Sequence, residues 1–168
     1  MSKTNENLQE AFAGESQANR RYLAFAKQAD KEGLKKVAAL FRAAAEAETV
    51  HALSHLKSLG EVKDTAENLK AAIAGETHEF KHMYPEMIEQ ARAEGNKSAL
   101  RSFNFANEVE KVHASLYEKA LEMLDSPESR EEGTEYHICM VCGYTCEKEA
   151  PDNCPVCKAK SQAFFKVE

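Results

Sequence analysis

The sequence lacks several features that would each indicate a class of protein. Its 168 residues carry a formal net charge of −6 and contain no basic block, so a nucleic acid is not expected as a partner. No apolar run approaches the roughly 20 residues that span a bilayer. The first ten residues, MSKTNENLQE, contain no apolar signal-peptide segment. These absences predict a cytoplasmic protein that does not enter a membrane.

Cysteine, glycine and proline are unevenly distributed. All five cysteines lie between Cys139 and Cys157, and an odd number so crowded is a poor disulfide framework but fits a metal site. Glycine and proline are scarce before the segment at 125–136, and apolar residues recur there at helical spacing. The pattern predicts a mainly α protein whose four helices span about 3–30, 34–59, 65–92 and 96–124.

The segment DSPESREEGTEY at 125–136 divides the chain, because it is polar, contains proline and glycine, and breaks the helical periodicity. We predict a helical domain at 1–125, a linker at 126–135 and a small four-cysteine domain at 136–168.

The helical domain is an internal duplication. AFAGES returns as AIAGET, and Glu48-x-x-His51-Ala returns as Glu110-x-x-His113-Ala. Each copy predicts a helical hairpin, and two hairpins make a four-helix bundle.

The two copies differ by one residue. The offset between them is 61 for Glu15 and Glu76 but 62 from Tyr22 and Tyr84 onward. The second copy therefore carries one additional residue, and we expect a wide, π-type turn within 76–86 to absorb it.

Antiparallel hairpins would bring four carboxylates and two imidazoles to one level of the core. Buried carboxylates without partners are costly, and divalent metal ions supply the missing positive charge. A Glu from each of two helices, with Glu-x-x-His from each of the others, is the ligand set of di-iron and di-manganese bundles. The predicted ligands are Glu15, Glu48, His51, Glu76, Glu110 and His113.

Other acidic and histidine residues on these helices need separate interpretation. Glu79 stands one turn after Glu76 on the same face and can act as a seventh ligand. His82 completes another Glu-x-x-His pattern, but its counterparts in the first copy are not ligand residues, so we interpret it as a non-ligand. Glu46 and Glu108 lie about 200° around the helix from the motif glutamates and should be exposed.

The cysteines form two knuckles, Cys139-x2-Cys142 and, after eleven residues, Cys154-x2-Cys157. Four thiolates in tetrahedral array suit zinc or a single iron, and the spacing does not separate a structural zinc from a redox iron. Cys146 lies outside both pairs and is interpreted as a free thiol.

Together these motifs resemble those of rubrerythrin, a ferritin-like di-iron bundle followed by a rubredoxin-like domain. The resemblance covers essentially the whole chain. It rests on GESQANRRY, AEAETVHA, GETHEFKHMY and NEVEKVHASLY in the bundle, and on CMVCGY and CPVC near the C-terminus.

The resemblance implies a role for each ligand. Two carboxylates would bridge the irons, namely Glu48 and Glu110. Terminal ligands would be Glu15 and Glu79 on one iron, and Glu76 and His113 on the other.

The resemblance also implies that four residues act in turnover. On reduction, one iron would exchange Glu79 for His51, and Tyr22 and Tyr84 match tyrosines that lie just outside the family's ligands.

The implied activity is reduction of hydrogen peroxide to water at the di-iron centre. A mononuclear iron-tetrathiolate would relay electrons from a separate donor protein, an NAD(P)H-linked reductase or a rubredoxin. A rival interpretation is an iron-handling ferroxidase whose four-cysteine domain is a zinc-stabilised interaction module.

The chain departs from the family pattern at the second knuckle, where Lys158 replaces the glycine of CPxCG. We expect a positive φ at Lys158, at a cost of about 1 kcal/mol or more, and an effect on the reduction potential of a bound iron.

The ferritin-like arrangement also predicts a homodimer. Helices two and three would be parallel, so the linker GEVKD would have to cross about 34 Å, whereas its extended reach is ~17–21 Å. Either helix three is unwound at its start or hairpin 1–59 packs on the second hairpin of another chain, and we favour the exchange. An up-down-up-down bundle would not need this exchange. It would make the two Glu-x-x-His helices parallel, however, which is against the resemblance.

Overall fold

A computed structural model describes residues 2–130 and 135–167. The chain divides into two compact units, Met1–Lys63 and Asp64–Glu168. Over the described ranges, every helix is too short or too polar to cross a membrane.

The first unit is a helical hairpin made of α1 (Lys3–Lys31) and α2 (Lys35–Leu59). Ser2 begins α1 as its N-cap, because its hydroxyl oxygen accepts a hydrogen bond from the Asn5 amide at 3.2 Å. The two helices pack through buried alanines, whose small side chains allow close approach. These are Ala26 and Ala29 on α1 and Ala38, Ala45 and Ala52 on α2.

The second unit begins with three helices, α3 (Thr65–His78), α4 (Tyr84–Ala93) and α5 (Lys97–Glu122). Both α3 and α4 pack against α5. Asp64 is the N-cap of α3, since its carboxylate accepts a hydrogen bond from the Glu67 amide at 2.8 Å.

A π-helical turn at Glu79–Met83 joins α3 to α4. The amide of Tyr84 donates to the carbonyl oxygen of Glu79, an i→i−5 bond. The predicted wide turn within 76–86 is confirmed, and it accommodates the additional residue of the second copy.

The C-terminal part of the second unit is a small antiparallel sheet. Its strands are β1 (Tyr136–Cys139), β2 (Thr145–Glu147) and β3 (Phe164–Val167), in the order β2-β1-β3. Thr145 on β2 pairs with Ile138 on β1, and β2 contacts α5.

The predicted fold class is confirmed, since the chain is mainly helical with a small C-terminal strand region that carries four cysteines. The predicted linker at 126–135 includes 131–134, which lie outside the described residues. The domain bounds 1–125 and 136–168 therefore stay predictions.

Candidate metal centres

The first hairpin brings three predicted ligands together. Ligand atoms of Glu15, Glu48 and His51 all lie within 4.8 Å of one another. The i, i+3 spacing on α2 places Nδ1 of His51 2.9 Å from Oε2 of Glu48. His51 is the outer member, with 56% of its side chain exposed against 17% for Glu48.

A buried asparagine sets the register of this hairpin beside the ligands. Asn19 lies one turn after Glu15 on α1 and is 7% exposed. Its Nδ2 donates to the carbonyl oxygen of Ala45 at 2.7 Å and to Oγ1 of Thr49 at 2.8 Å. These bonds hold α1 against the stretch of α2 that carries Glu48, so Asn19 aligns the first cluster.

The second unit repeats the cluster. Ligand atoms of Glu76 on α3 and of Glu110 and His113 on α5 all lie within 4.8 Å of one another. Nδ1 of His113 lies 2.8 Å from Oε2 of Glu110 and 3.9 Å from Oε2 of Glu76. The structure thus groups the six core ligands as two sets of three, and their convergence on one centre stays a prediction.

Two carboxyl groups, Glu76 in the second cluster and Glu79 beside it, are held in an unfavourable environment for negative charge. Burial raises the pKa of Glu76, and hydrogen bonding to Glu110 raises it further. Burial also raises the pKa of Glu79, and the charge of Glu76 adds to that effect. A divalent cation would relieve the repulsion, and two oxygen donors and one imidazole nitrogen suit iron or manganese. The donor set therefore fits a metal ion.

Glu79 lies outside the compact ligand clusters of the described residues, and the two tyrosines have surroundings of their own. Glu79 is half-buried at the start of the π turn, close enough to Glu76 and His113 to feel their charges. Burial, followed by the charges of Glu110, Glu79 and Glu76, raises the pKa of Tyr84. Tyr22 packs against Phe41, with ring centroids 6.2 Å apart. Roles for Glu79, Tyr22 and Tyr84 stay predictions.

The residues interpreted as non-ligands lie apart from the clusters. His82 is exposed, and its ring stacks 5.6 Å from that of His78. Glu46 and Glu108 are both exposed, as predicted, and Glu108 pairs with Lys111.

The four knuckle cysteines form a third cluster, with all sulfurs within 4.8 Å of one another. Sγ of Cys139 lies 3.6 Å from that of Cys157, and Sγ of Cys142 lies 3.5 Å from that of Cys154. All four are free thiols at these distances, so the array fits one tetrahedral metal ion.

Backbone amides support the sulfurs as metal ligands. Burial raises the pKa of Cys142, against a hydrogen bond from the Tyr144 amide that lowers it. Burial also opposes ionisation of Cys154, but amide hydrogen bonds from Cys157 and Val156 outweigh it and lower the pKa. Such amide-to-sulfur bonds favour the thiolate and tune the potential of a bound iron.

Lys158 adopts the predicted positive φ, at 65°. Its amide donates to the carbonyl oxygen of Cys154 at 3.0 Å, and the following amide, of Ala159, bonds the sulfur of Cys157. The knuckle therefore keeps its turn with lysine in the glycine position, at the cost of a left-handed conformation.

Cys146 stands outside the four-cysteine cluster as a free thiol. Its sulfur lies 3.7 Å from the carbonyl oxygen of His137 and 3.8 Å from that of Glu149.

Two polar contacts near the ligands were missed by sequence reasoning. One is the bridge from Asn19, and the other joins Nε2 of His113 to Oγ1 of Thr145, 3.0 Å apart and 32 positions along the chain. The duplication carries no signal for either contact, because Thr145 lies beyond the repeats and Asn19 aligns with Phe80 or Lys81 in the second copy.

Both parts of the chain match known families. Residues 6–121 match the family model for rubrerythrin, and residues 137–165 match the rubrerythrin, rubredoxin-like domain. The chain is 36% identical to Rubrerythrin-2 of Clostridium acetobutylicum, covering 96% of this chain and 95% of that protein. It is 38% identical to the rubrerythrin of Porphyromonas gingivalis, covering 98% and 89%. Nigerythrin of Nitratidesulfovibrio vulgaris is 34% identical over 96% and 85%.

Solved structures of nigerythrin are similar over the whole length. The mixed-valent state is 34% identical with a TM-score of 0.58, covering 99% of this chain and 88% of that one. The fully reduced, all-ferrous state is 32% identical with a TM-score of 0.59, at the same coverage. With both domains matched in order, and with their clustered ligands in place, the chain belongs to the rubrerythrin family.

Proposed function

We propose that this protein reduces hydrogen peroxide to water at a di-iron centre that is supplied with electrons through an iron-tetrathiolate. The observation that carries the proposal is the presence in one chain of two Glu-Glu-His clusters and one four-cysteine cluster. Its cofactors are a di-iron centre in the helical domain and one mononuclear iron bound by the cysteines. The fully reduced, all-ferrous state described for the relative nigerythrin supports iron as the metal.

The ligand roles proposed here are those that the family resemblance implies. Glu48 and Glu110 would be shared by the two irons. Glu15 and Glu79 would hold one iron and Glu76 and His113 the other, and His51 would take the place of Glu79 in the reduced protein. Two ferrous ions, when bound, supply the two electrons that cleavage of one O–O bond requires.

The tyrosines beside the clusters hold protons rather than metal. A tyrosine hydroxyl is protonated at neutral pH, and burial, followed by the charges of Glu110 and Glu79, raises the pKa of Tyr84 further, so it can donate a hydrogen bond toward a substrate oxygen. Tyr22 occupies the equivalent place in the first copy, and we assign it the same role.

A separate protein supplies the electrons, because the sequence shows no nicotinamide site. The four-cysteine cluster is open to an approaching donor, since Met140 and Val141, between the first pair of ligands, are 65% and 47% exposed. A cavity of about 340 Å³ lined by Arg101, Phe105 and Cys142 lies on the side of α5.

Stopped-flow spectroscopy tests the proposed reaction. The reduced, iron-loaded protein is mixed anaerobically with hydrogen peroxide, and separately with oxygen. We expect one peroxide to oxidise two ferrous ions, faster than oxygen does. Replacing the tetrathiolate iron with zinc should preserve that first turnover and abolish multiple turnovers with a donor protein.

The ferroxidase alternative predicts the reverse pattern. Oxygen would then be the faster oxidant, ferric product would accumulate, and the aerobically purified, iron-replete protein would lack the red tetrathiolate absorption. Any of these results would count against the peroxidase proposal.

We also propose a homodimer that exchanges hairpins. The helix α2 ends at Leu59, and α3 begins at Thr65 with Asp64 as its cap. Because the start of α3 is helical, it adds no unwound residues to the linker. In a ferritin-like bundle the remaining five residues would span only ~17–21 Å of the about 34 Å required.

Light scattering at the exit of a sizing column tests the exchange. We expect a dimer, and we expect about ten Gly/Ser residues inserted after Glu61 to permit monomers that still bind two irons, because the linker could then cross within one chain. A native monomer with a complete di-iron centre would contradict the exchange.

A further inference from the structure

The two histidines of the duplicated motif differ in what holds their outer nitrogen. Nε2 of His113 lies 3.0 Å from Oγ1 of Thr145 on β2. Within residues 2–130 and 135–167, Nε2 of His51 has no hydrogen-bond partner, and 56% of its side chain is exposed against 27% for His113. Among the described residues, the outer nitrogen is therefore anchored in His113 only, whereas His51 is held through Nδ1, 2.9 Å from Oε2 of Glu48.

The hydroxyl of Thr145 acts as the acceptor in this bond. Its hydrogen is already donated to the carbonyl oxygen of Gly143 at 3.1 Å, so a lone pair of Oγ1 faces His113. Nε2 of His113 must then carry the hydrogen. A metal ion binds the neutral form of the ring, in which this leaves the Nδ1 lone pair directed at Glu110. An unprotonated ring nitrogen beside a carboxylate oxygen is a pair of ligand atoms that one metal ion can bind.

Neighbouring contacts fix Thr145 against α5. Lys119, farther along the helix, forms an ion pair with Glu147 on the same strand. On the other side of His113, a Cβ built on Gly143 would lie 3.8 Å from Cγ1 of Val109. The segment 143–147 thus lies along α5 on both sides of His113, so the position of the hydroxyl follows from the packing of this segment.

We propose that Thr145 of the rubredoxin-like domain is a positioning residue for the di-iron centre. Its hydroxyl holds the His113 ring in the tautomer and orientation in which Nδ1 binds metal, and so makes His113 the permanent histidine ligand. Partners on the outer nitrogen of metal-binding histidines act in this way generally, and their loss weakens metal binding about 10–100-fold. The inference rests on the proposed function, because it assigns His113 to that centre.

Ferrous iron binding by the full-length protein tests the inference. The protein, with its tetrathiolate iron retained, is titrated anaerobically with ferrous iron in the wild-type, Thr145→Val and Thr145→Ser forms. We expect Thr145→Val to weaken one of two bound irons about 10–100-fold, and we expect Thr145→Ser to bind as the wild type does. Thr145→Ala, a second variant without the hydroxyl, should match Thr145→Val.

Two controls separate the hydroxyl from the packing of the domain. The tetrathiolate absorption reports whether the sheet is intact in each variant. Lys119→Met removes only an exposed ion pair, which contributes little to holding the strand. It keeps the Thr145 hydroxyl and the packing beside Val109, so its iron affinity should be unchanged.

Wild-type affinity in Thr145→Val, equal losses in the serine and valine variants, or an equal loss in Lys119→Met would each overturn the inference. The proposed function fails differently, through a wild-type protein that binds no pair of irons or does not consume peroxide.

Discussion

The amide N–H of Tyr84 donates to the carbonyl oxygen of Glu79, five residues earlier in the chain. This bond forms the π turn that absorbs the one residue by which the second copy is longer. Glu79, at its start, has Ala18 or Gln17 as its counterpart in the first copy. The two hairpins therefore differ at Glu79. The proposed ligand exchange needs such a difference, because it would occur at only one of the two irons.

Deleting Lys81 should remove the π turn. Lys81 is exposed within Glu79–Met83, and its loss would restore the spacing of the first copy and permit continuous i→i−4 bonding. We expect Tyr84 and Glu79 to change their relative positions and peroxide turnover to fall about 100-fold, the effect of a misplacement of roughly 1 Å. Stopped-flow rates measure this, with Lys81→Ala as the length-preserving control. Full turnover in the deletion variant would show that the π turn has no catalytic role.

Replacing the two motif histidines should have unequal effects. His113→Ala removes the proposed ligand that Thr145 anchors, so the oxidised protein should lose one iron per chain. His51→Ala should keep both irons when oxidised and slow peroxide turnover, because in the proposed mechanism His51 binds only after reduction. Iron content and stopped-flow rates distinguish the two variants. Equal iron loss in their oxidised forms would disprove the assignment.

Glu76 should make the stability of the metal-free protein depend on pH. Burial and Glu110 raise its folded-state pKa above the ordinary 4.5. Below about pH 4.5 the Glu76 carboxyl is protonated in both the folded and the unfolded protein, so it does not lower the free energy of unfolding. As pH rises above this value, the unfolded chain ionises first and stability is lost until the folded-state pKa is passed.

Glu76→Gln should therefore stabilise the metal-free protein at neutral pH and have no effect at pH 4 or below. The midpoint of thermal unfolding should rise by about 2–4 °C for each kcal/mol that the substitution adds to the free energy of unfolding. Circular dichroism across this pH range measures it, with the exposed Glu46→Gln as control. A neutral-pH midpoint no higher than that of the wild type would contradict the prediction.

Two lysines in the C-terminal region share a left-handed backbone, since Lys148 and Lys158 both have φ of 65°. Replacing either by glycine should stabilise the domain by about 1 kcal/mol, because glycine removes the Cβ penalty. Denaturant unfolding followed by the tetrathiolate absorption measures this change.

Only Lys158→Gly should also alter the reduction potential. The ammonium of Lys158 is held at the knuckle by the carbonyl oxygen of Pro155, 2.8 Å away, where positive charge favours the more negative, reduced centre. Its removal should lower the potential, as measured by spectroelectrochemistry, while Lys148→Gly leaves it unchanged. Equal shifts in both variants would assign the effect to backbone strain instead.

Local geometry explains why much of this protein could be predicted. The Glu-x-x-His spacing places both side chains on one helix face wherever the helix lies, so Glu48 with His51 and Glu110 with His113 follow from periodicity. The π turn was predictable for a similar reason, because a change in repeat offset must be absorbed within the helix. Each Cys-x-x-Cys knuckle is likewise local.

The sequence by itself determined the helices, the ligand types and the two kinds of metal site, since these depend on residues within a turn or two of one another. Only the tertiary structure decided that Thr145 bonds His113 and that Asn19 aligns the first hairpin. Such contacts join residues 26 or more positions apart, and they depend on how a strand or a second helix packs. Packing is a property of whole element faces, so residue spacing does not reveal that, among the described residues, a second side chain holds the outer nitrogen of His113 but not that of His51.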